Sequence, residues 1–77
     1  KMTAANNFLK LGTLVKVTNL TNGKSVIVKI NDRMNANNHR LIDLSQAAAK
    51  KIGIVQQGVG NVSIEVLSAA TDYLANR

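Results

Sequence analysis

The chain has 77 residues, and its ten Lys and Arg outnumber its four Asp and Glu, which gives a formal net charge of +6 at pH 7. It has no Cys and one His, so disulfides and thiol chemistry are excluded, and we expect neither a metal nor a cofactor. No apolar run is long enough to predict a membrane-spanning segment. The charge favours an anionic partner, the alternative being a basic surface without a charged ligand. With Phe8 and Tyr73 as the only aromatic residues, base stacking is disfavoured, and so is a nucleic-acid partner.

The first strong pattern along the chain is a β-hairpin, which follows an opening of eleven residues without a clear period. Residues 14–19 and 25–30 are rich in β-branched side chains with polar interruptions, and Asn22-Gly23 between them predicts a tight turn with positive φ. The alternation directs Lys16 and Thr18 outward. It directs five residues toward a core: Val15, Val17, Val26, Val28 and Ile30.

The second half of the chain predicts two more strands and a helix. An Asn-rich loop over 31–39 precedes a short strand over 40–44, and Ser45 is a suitable N-cap for a helix over 46–52 that Gly53 ends. Residues 61–67 alternate as a strand does, with Val62, Ile64 and Val66 inward. Ser68 is a candidate cap for a final helix over 69–76. These elements predict a mainly β domain over 1–67, a small barrel, and a helical tail over 68–77.

Several motifs in order resemble the rare lipoprotein A family: Leu11-Gly12-Thr13, Thr18-Asn19-Leu20, Asn22-Gly23, Asn31-Asp32-Arg33 and Ile42-Asp43-Leu44-Ser45. The resemblance implies a six-stranded double-psi β-barrel with one short embedded helix. It also implies a bacterial cell-envelope protein, periplasmic, outer-membrane-associated or secreted, that acts on peptidoglycan glycan strands as a lytic transglycosylase. The alternatives are a glycan-binding barrel without catalysis and, with less support, a basic barrel that binds nucleic acid.

The resemblance makes Asp43 the candidate catalytic residue, because it matches the family's aspartate. A lytic transglycosylase can use one carboxyl group, whereas glycoside hydrolases normally use two. We expect Ile42 and Leu44 to surround the carboxyl group with apolar atoms and so to raise its pKa. The alternative is a structural Asp43 that accepts backbone N–H bonds near the helix start at Ser45.

Four further residues are candidates for substrate binding: Asn6, Asp32, Arg33 and His39. Asn6 stands where the family usually has a histidine, and an amide can hydrogen-bond a sugar but exchanges no proton at neutral pH. We expect Asp32 and Arg33 at the rim of a groove, the alternative being an internal pair that fixes a loop. His39 ends a loop that differs from the family's, and its alternative is an exposed loop histidine.

The family domain usually begins with a glycine-rich, aromatic strand, which this sequence does not contain. We therefore expect an incomplete barrel whose open edge pairs with a strand from elsewhere, since unpaired strand edges attract further strands. The expected source is a second chain or a cleaved N-terminal segment of the same protein.

Overall fold

A computed structural model of the chain describes residues 1–37, 40–54 and 61–68. The elements are β1 (Thr3–Ala5), β2 (Leu14–Asn19), β3 (Ser25–Asp32), β4 (Asp43–Leu44), the helix α1 (Gln46–Lys51) and β5 (Val62–Ser68). The strands form a five-stranded sheet in the order β4-β1-β3-β2-β5, in which β1 runs parallel to β3 and the other neighbours are antiparallel. The predicted mainly β fold is confirmed. Over the described residues the sheet stays open, with β4 and β5 at its edges.

One face of the sheet carries the hydrophobic core, as the alternating pattern predicts. Val15, Val17, Val28 and Ile30 are fully buried and Val26 nearly so, while Lys16 is exposed. Residues from β1, α1 and the segments beside them complete the core: Ala4, Ile42, Ala48, Ile52 and Ile54. The helix therefore covers the apolar face of the sheet, and the opposite face carries polar side chains such as Lys16 together with the exposed Ile27.

The predicted hairpin of β2 and β3 is confirmed, but its turn differs from the predicted one. Gly23 has a φ of 77°, and among the described residues no residue other than glycine has a positive φ, so Asn22 does not share this conformation. The Asn19 N–H donates to the Lys24 carbonyl at 2.8 Å and the Gly23 N–H to the Asn19 carbonyl at 2.7 Å. The turn thus spans residues 20–23, and of the pair Asn22-Gly23 only Gly23 has the predicted positive φ.

The helix begins as predicted and ends at Lys51, one residue before the predicted end at Ile52. The Ser45 hydroxyl caps it by accepting the Ala48 N–H at 3.2 Å, and Gly53 follows its last turn with a φ of 78°. Its C-terminal carbonyl, at Ile52, accepts the side-chain amides of Asn19 and Asn22 at 2.8 and 3.1 Å. These two bonds attach the end of the helix to the hairpin turn.

Four strands differ from their predictions. Strand β3 continues to Asp32, two residues into the segment that was predicted as a loop. The opening segment contains β1, which the sequence did not indicate, and the short strand predicted over 40–44 is formed only at Asp43 and Leu44. Ser68 is the last residue of β5, and its role as the cap of a following helix stays a prediction. Val66 pairs with the buried Val15 but is 49% exposed, because β5 is an edge strand. The helix predicted over 69–76 lies outside the described residues.

Candidate functional site

Strand β1 brings the two aspartates of the candidate site into one row. Ala5 pairs with Asp43 on β4 and with Asp32 on β3. Strands in a sheet are about 4.8 Å apart, so the Cα atoms of the two aspartates lie about 10 Å apart with Ala5 between them. The preceding residue, Ala4, is buried in the core. Since side chains alternate along a strand, the row Asp43–Ala5–Asp32 faces outward.

A β-bulge gives Asp32 its place in this row. Ala4 pairs with Ile30, whereas the next residue, Ala5, pairs with Asp32, so that Asn31 is the extra residue on β3. In an unbroken register Ala5 would oppose Asn31, and Asp32 would point to the other face. Bulges commonly redirect a side chain in this way beside functional sites.

Asp43 is a solvent-accessible carboxylate beside an arginine. Its side chain is 43% exposed, and its Oδ1 lies 3.5 Å from Nη1 of Arg40. The expected apolar enclosure is wrong for a geometric reason: Ile42 is buried and Leu44 packs against the core, so both neighbours point away from the carboxyl group. Arg40 was not singled out from the sequence, although its spacing of three residues from Asp43 was a usable signal.

Asn6 is buried, and its side chain holds the loop that follows β1. It is 2% exposed. Its Oδ1 accepts the backbone N–H groups of Phe8 and Leu9, each at 2.7 Å, and its Nδ2 donates to the Leu41 carbonyl at 2.7 Å. The substrate-binding role of Asn6 stays a prediction, and in this conformation it would require the amide to exchange a backbone partner for a sugar.

Arg33 fixes the same loop from the other side. Its Nη1 donates to the carbonyls of Asn6 at 2.7 Å and Leu9 at 2.5 Å. The carboxylate of Asp32 accepts the backbone N–H of Arg33 at 2.8 Å. Arg33 thus fixes a loop, as the alternative of an internal Asp32–Arg33 pair expected, but its side chain binds backbone carbonyls and not the Asp32 carboxylate. The substrate-binding roles of Asp32 and Arg33 stay predictions.

The remaining site expectations concern His39, metal ions and membrane helices. His39 lies outside the described residues. Within residues 1–37, 40–54 and 61–68, no three His, Asp or Glu side chains are grouped so that they could hold a metal ion. Over the same ranges, no helix has the length and apolar character needed to cross a membrane.

Comparison with known proteins defines the class to which this sheet and its carboxylate row belong. The open five-stranded sheet with one short helix is consistent with part of a double-psi β-barrel, and the family model described as lytic transglycolase matches residues 1–64. The chain therefore belongs to this family, as the resemblance to rare lipoprotein A indicated.

Three relatives show how far the similarity extends. The chain is 55% identical over 67 residues to the endolytic peptidoglycan transglycosylase RlpA of Vibrio cholerae, covering 87% of this chain and 26% of that protein. It is 54% identical over 66 residues to the probable endolytic peptidoglycan transglycosylase RlpA of Synechocystis, covering 86% and 21%. It is 55% identical over 64 residues to the endolytic peptidoglycan transglycosylase RlpA of Pseudomonas aeruginosa, covering 83% of this chain and 19% of that protein. The chain thus spans about a quarter or less of the length of these curated relatives.

Proposed function

We propose that this chain is the glycan-acting domain of a peptidoglycan lytic transglycosylase. The observation that carries the proposal is the outward row Asp43–Ala5–Asp32, which presents a carboxylate on each side of a small residue. The printed activity of the relatives, endolytic peptidoglycan transglycosylase, supports the same reaction. The small side chain of Ala5 leaves space above the sheet for a sugar between the two carboxylates.

In the proposed reaction Asp43 acts first as an acid and then as a base. The protonated carboxyl group gives its proton to the oxygen that links N-acetylmuramic acid to N-acetylglucosamine, and the bond from C1 to that oxygen breaks. The resulting carboxylate then takes the proton of the C6 hydroxyl on the muramic acid residue, while the C6 oxygen forms a bond to C1. The product is a 1,6-anhydro sugar, and no water is consumed.

The other candidate residues take supporting roles in this proposal. Asp32, about 10 Å from Asp43 across the row, accepts hydrogen bonds from sugar hydroxyls and orients the ring. Arg33 maintains the loop beside the row, and Asn6 and His39 remain candidates for direct contact with the glycan.

The test is digestion of glycan strands stripped of peptide, with mass spectrometry of the products. Wild-type protein is expected to release fragments that end in anhydro sugars, and Asp43→Asn to release none while keeping its melting temperature. Glu65→Gln is the matched control, because Glu65 is an exposed carboxylate on β5, opposite Lys16 and two strands away from the row. Wild-type turnover by Asp43→Asn would refute the assignment, and the same assay on Asp32→Asn asks whether the second carboxylate is needed.

The second candidate function is a glycan-binding module without catalysis. Burial of Asn6 and its three backbone hydrogen bonds favour it, because a side chain engaged in this way supplies no proton to a substrate. The digestion assay separates the two functions. Retention of the wild-type protein on glycan strands, without any anhydro products, supports the binding module and refutes the enzyme.

We further propose a location in the bacterial cell envelope, either in the periplasm, at the outer membrane or secreted, because peptidoglycan lies there.

We also propose that the edge of β5 pairs with a further strand, from a second chain or from an N-terminal segment of the same protein. Val66 and Leu67 on this strand are 49% and 44% exposed, and β2 is its one strand partner within the described residues. Light scattering gives the oligomeric state, and amide exchange shows whether the β5 amides are protected. A monomer whose β5 amides are fully protected without an added strand would refute the proposed pairing.

A further inference from the structure

Phe8 is the most exposed large hydrophobic residue among those that the structure describes. Its side chain is 77% exposed, whereas its neighbour Leu9 packs against the core. The loop thus points one apolar side chain inward and the other into solvent. A single exposed apolar residue is common on protein surfaces, so the significance of Phe8 depends on what holds its loop and where the loop lies.

Four hydrogen bonds hold the backbone around Phe8. The N–H groups of Phe8 and Leu9 both donate to Oδ1 of Asn6, and Arg33 donates to the carbonyls of Asn6 and Leu9. An aromatic side chain on a fixed backbone has only two rotatable bonds, so it loses little conformational entropy when a ligand covers it. The loop therefore presents Phe8 as a preorganised contact surface.

The loop lies beside the carboxylate row. Three peptide units separate Phe8 from Ala5, the centre of the row, so their Cα atoms are at most about 11 Å apart. The Asn6 amide also donates to the carbonyl of Leu41 at 2.7 Å. Leu41 is 52% exposed and precedes Asp43 by two residues. Asn6 thus joins the loop that carries the exposed Phe8 to the segment that carries the exposed Leu41 and Asp43.

We propose that Phe8 is a stacking platform for a sugar ring of the glycan strand, in a subsite beside the row Asp43–Ala5–Asp32. One face of a pyranose ring carries mainly C–H groups, which pack against the face of an aromatic ring, while the hydroxyls at its edge reach carboxylates. An apolar platform next to acidic side chains suits the uncharged N-acetylglucosamine residue of the strand better than a phosphate backbone, which carboxylates repel. This assignment rests on the proposed function, and it makes Phe8 a residue that binds and positions the strand.

The absence of tryptophan from the sequence makes a direct test possible. Phe8→Trp places a single fluorophore at the platform, and its emission is expected to shift to shorter wavelength when oligomers of N-acetylglucosamine or peptide-free glycan strands are added. Phe8→Ala is expected to bind these glycans about tenfold more weakly, because aromatic stacking and the apolar contact are both lost. Leu20→Ala is the matched control, since Leu20 is 55% exposed at the hairpin turn, the end of β3 opposite Asp32.

Each outcome bears on a different statement. If wild-type protein binds glycan and Phe8→Ala binds as tightly as Leu20→Ala, the platform is refuted and the proposed function stands. If wild-type protein neither binds nor cleaves glycan, the proposed function fails and the platform fails with it. If Phe8→Ala lowers the melting temperature much more than Leu20→Ala does, Phe8 packs against another part of the protein, and the sugar platform is overturned.

Discussion

Replacement of Asn6 by alanine should cost a large part of the stability of this small domain. Asn6 is 2% exposed, and the substitution removes three hydrogen bonds of its side chain. Two are accepted from the N–H groups of Phe8 and Leu9, and one is donated to the Leu41 carbonyl. At about 1 kcal/mol net for each bond, the free energy of unfolding should fall by about 3 kcal/mol. A domain of this size has a total stability of about 4–12 kcal/mol, and each lost kcal/mol lowers its melting temperature by about 4–8 °C.

The assay is urea denaturation monitored by circular dichroism. It compares Asn6→Ala with Asn6→Ser and Asn35→Ala. A serine hydroxyl can still accept a backbone N–H two or three residues ahead but is too short to reach Leu41, so Asn6→Ser should lose about half as much. Asn35 is exposed and its side chain accepts only the Asn37 N–H, at 2.8 Å, among the bonds of the described residues. Its replacement should cost less than about 1 kcal/mol. An Asn6→Ala variant as stable as Asn35→Ala would refute the structural role of Asn6.

Two further predictions concern the backbone around the helix end and the loop beside the row. Gly23 and Gly53 have nearly equal φ values of 77° and 78°, but a Cβ atom on Gly53 would lie 2.8 Å from Nδ2 of Asn22, while a Cβ on Gly23 has no neighbour within 4 Å. Gly23→Ala should lower the free energy of unfolding by about 1 kcal/mol through backbone strain. Gly53→Ala should lower it by about 2 kcal/mol, because it also displaces the Asn22 amide that is bonded to Ile52. Equal losses of stability for the two variants in thermal unfolding would contradict this prediction. Arg33→Lys keeps the positive charge, but a lysine side chain cannot bind the two carbonyls in the same fixed geometry. The variant should therefore have faster amide exchange at Leu9 and a free energy of unfolding lower by about 1 kcal/mol. Unchanged exchange relative to an Arg40→Lys control would count against that role.

The elements that the sequence predicted well are those with strong local signals. The alternation of valines in β2 and β3, the Ser45 cap and the glycine after α1 each define an element through neighbours in the chain, and all are confirmed. Strand β1 had no such signal, because two of its three residues are Ala, which is depleted in strands. It forms through pairing with β3 and β4, which are distant in sequence.

The sequence indicated candidate residues for a site but not how they are arranged in space. The resemblance to the family directed attention to Asp32, Arg33 and Asp43, and two of these lie in one row. The row exists because of a bulge at Asn31 and a pairing through Ala5, neither of which has a sequence signal. The expected apolar surroundings of Asp43 failed for a related reason. Adjacent residues in a strand face opposite sides, so apolar neighbours in sequence are not neighbours in space.

The position of the row depends on loop contacts as much as on the sheet. Strands β1 and β4 have three and two residues, so few ladder hydrogen bonds hold Asp43 relative to Asp32. The contacts of Asn6 with Leu41 and of Arg33 with Asn6 join the two sides of the row across these short strands. Substitutions at Asn6 or Arg33 should therefore alter the spacing of the two carboxylates as well as the stability of the fold. Loss of glycan cleavage in an Asn6 or Arg33 variant would therefore identify a chemical role only if the variant keeps the wild-type melting temperature. The side chain of Asp43 is exposed and lies outside the core, so an activity assay of Asp43 variants tests its chemical role directly.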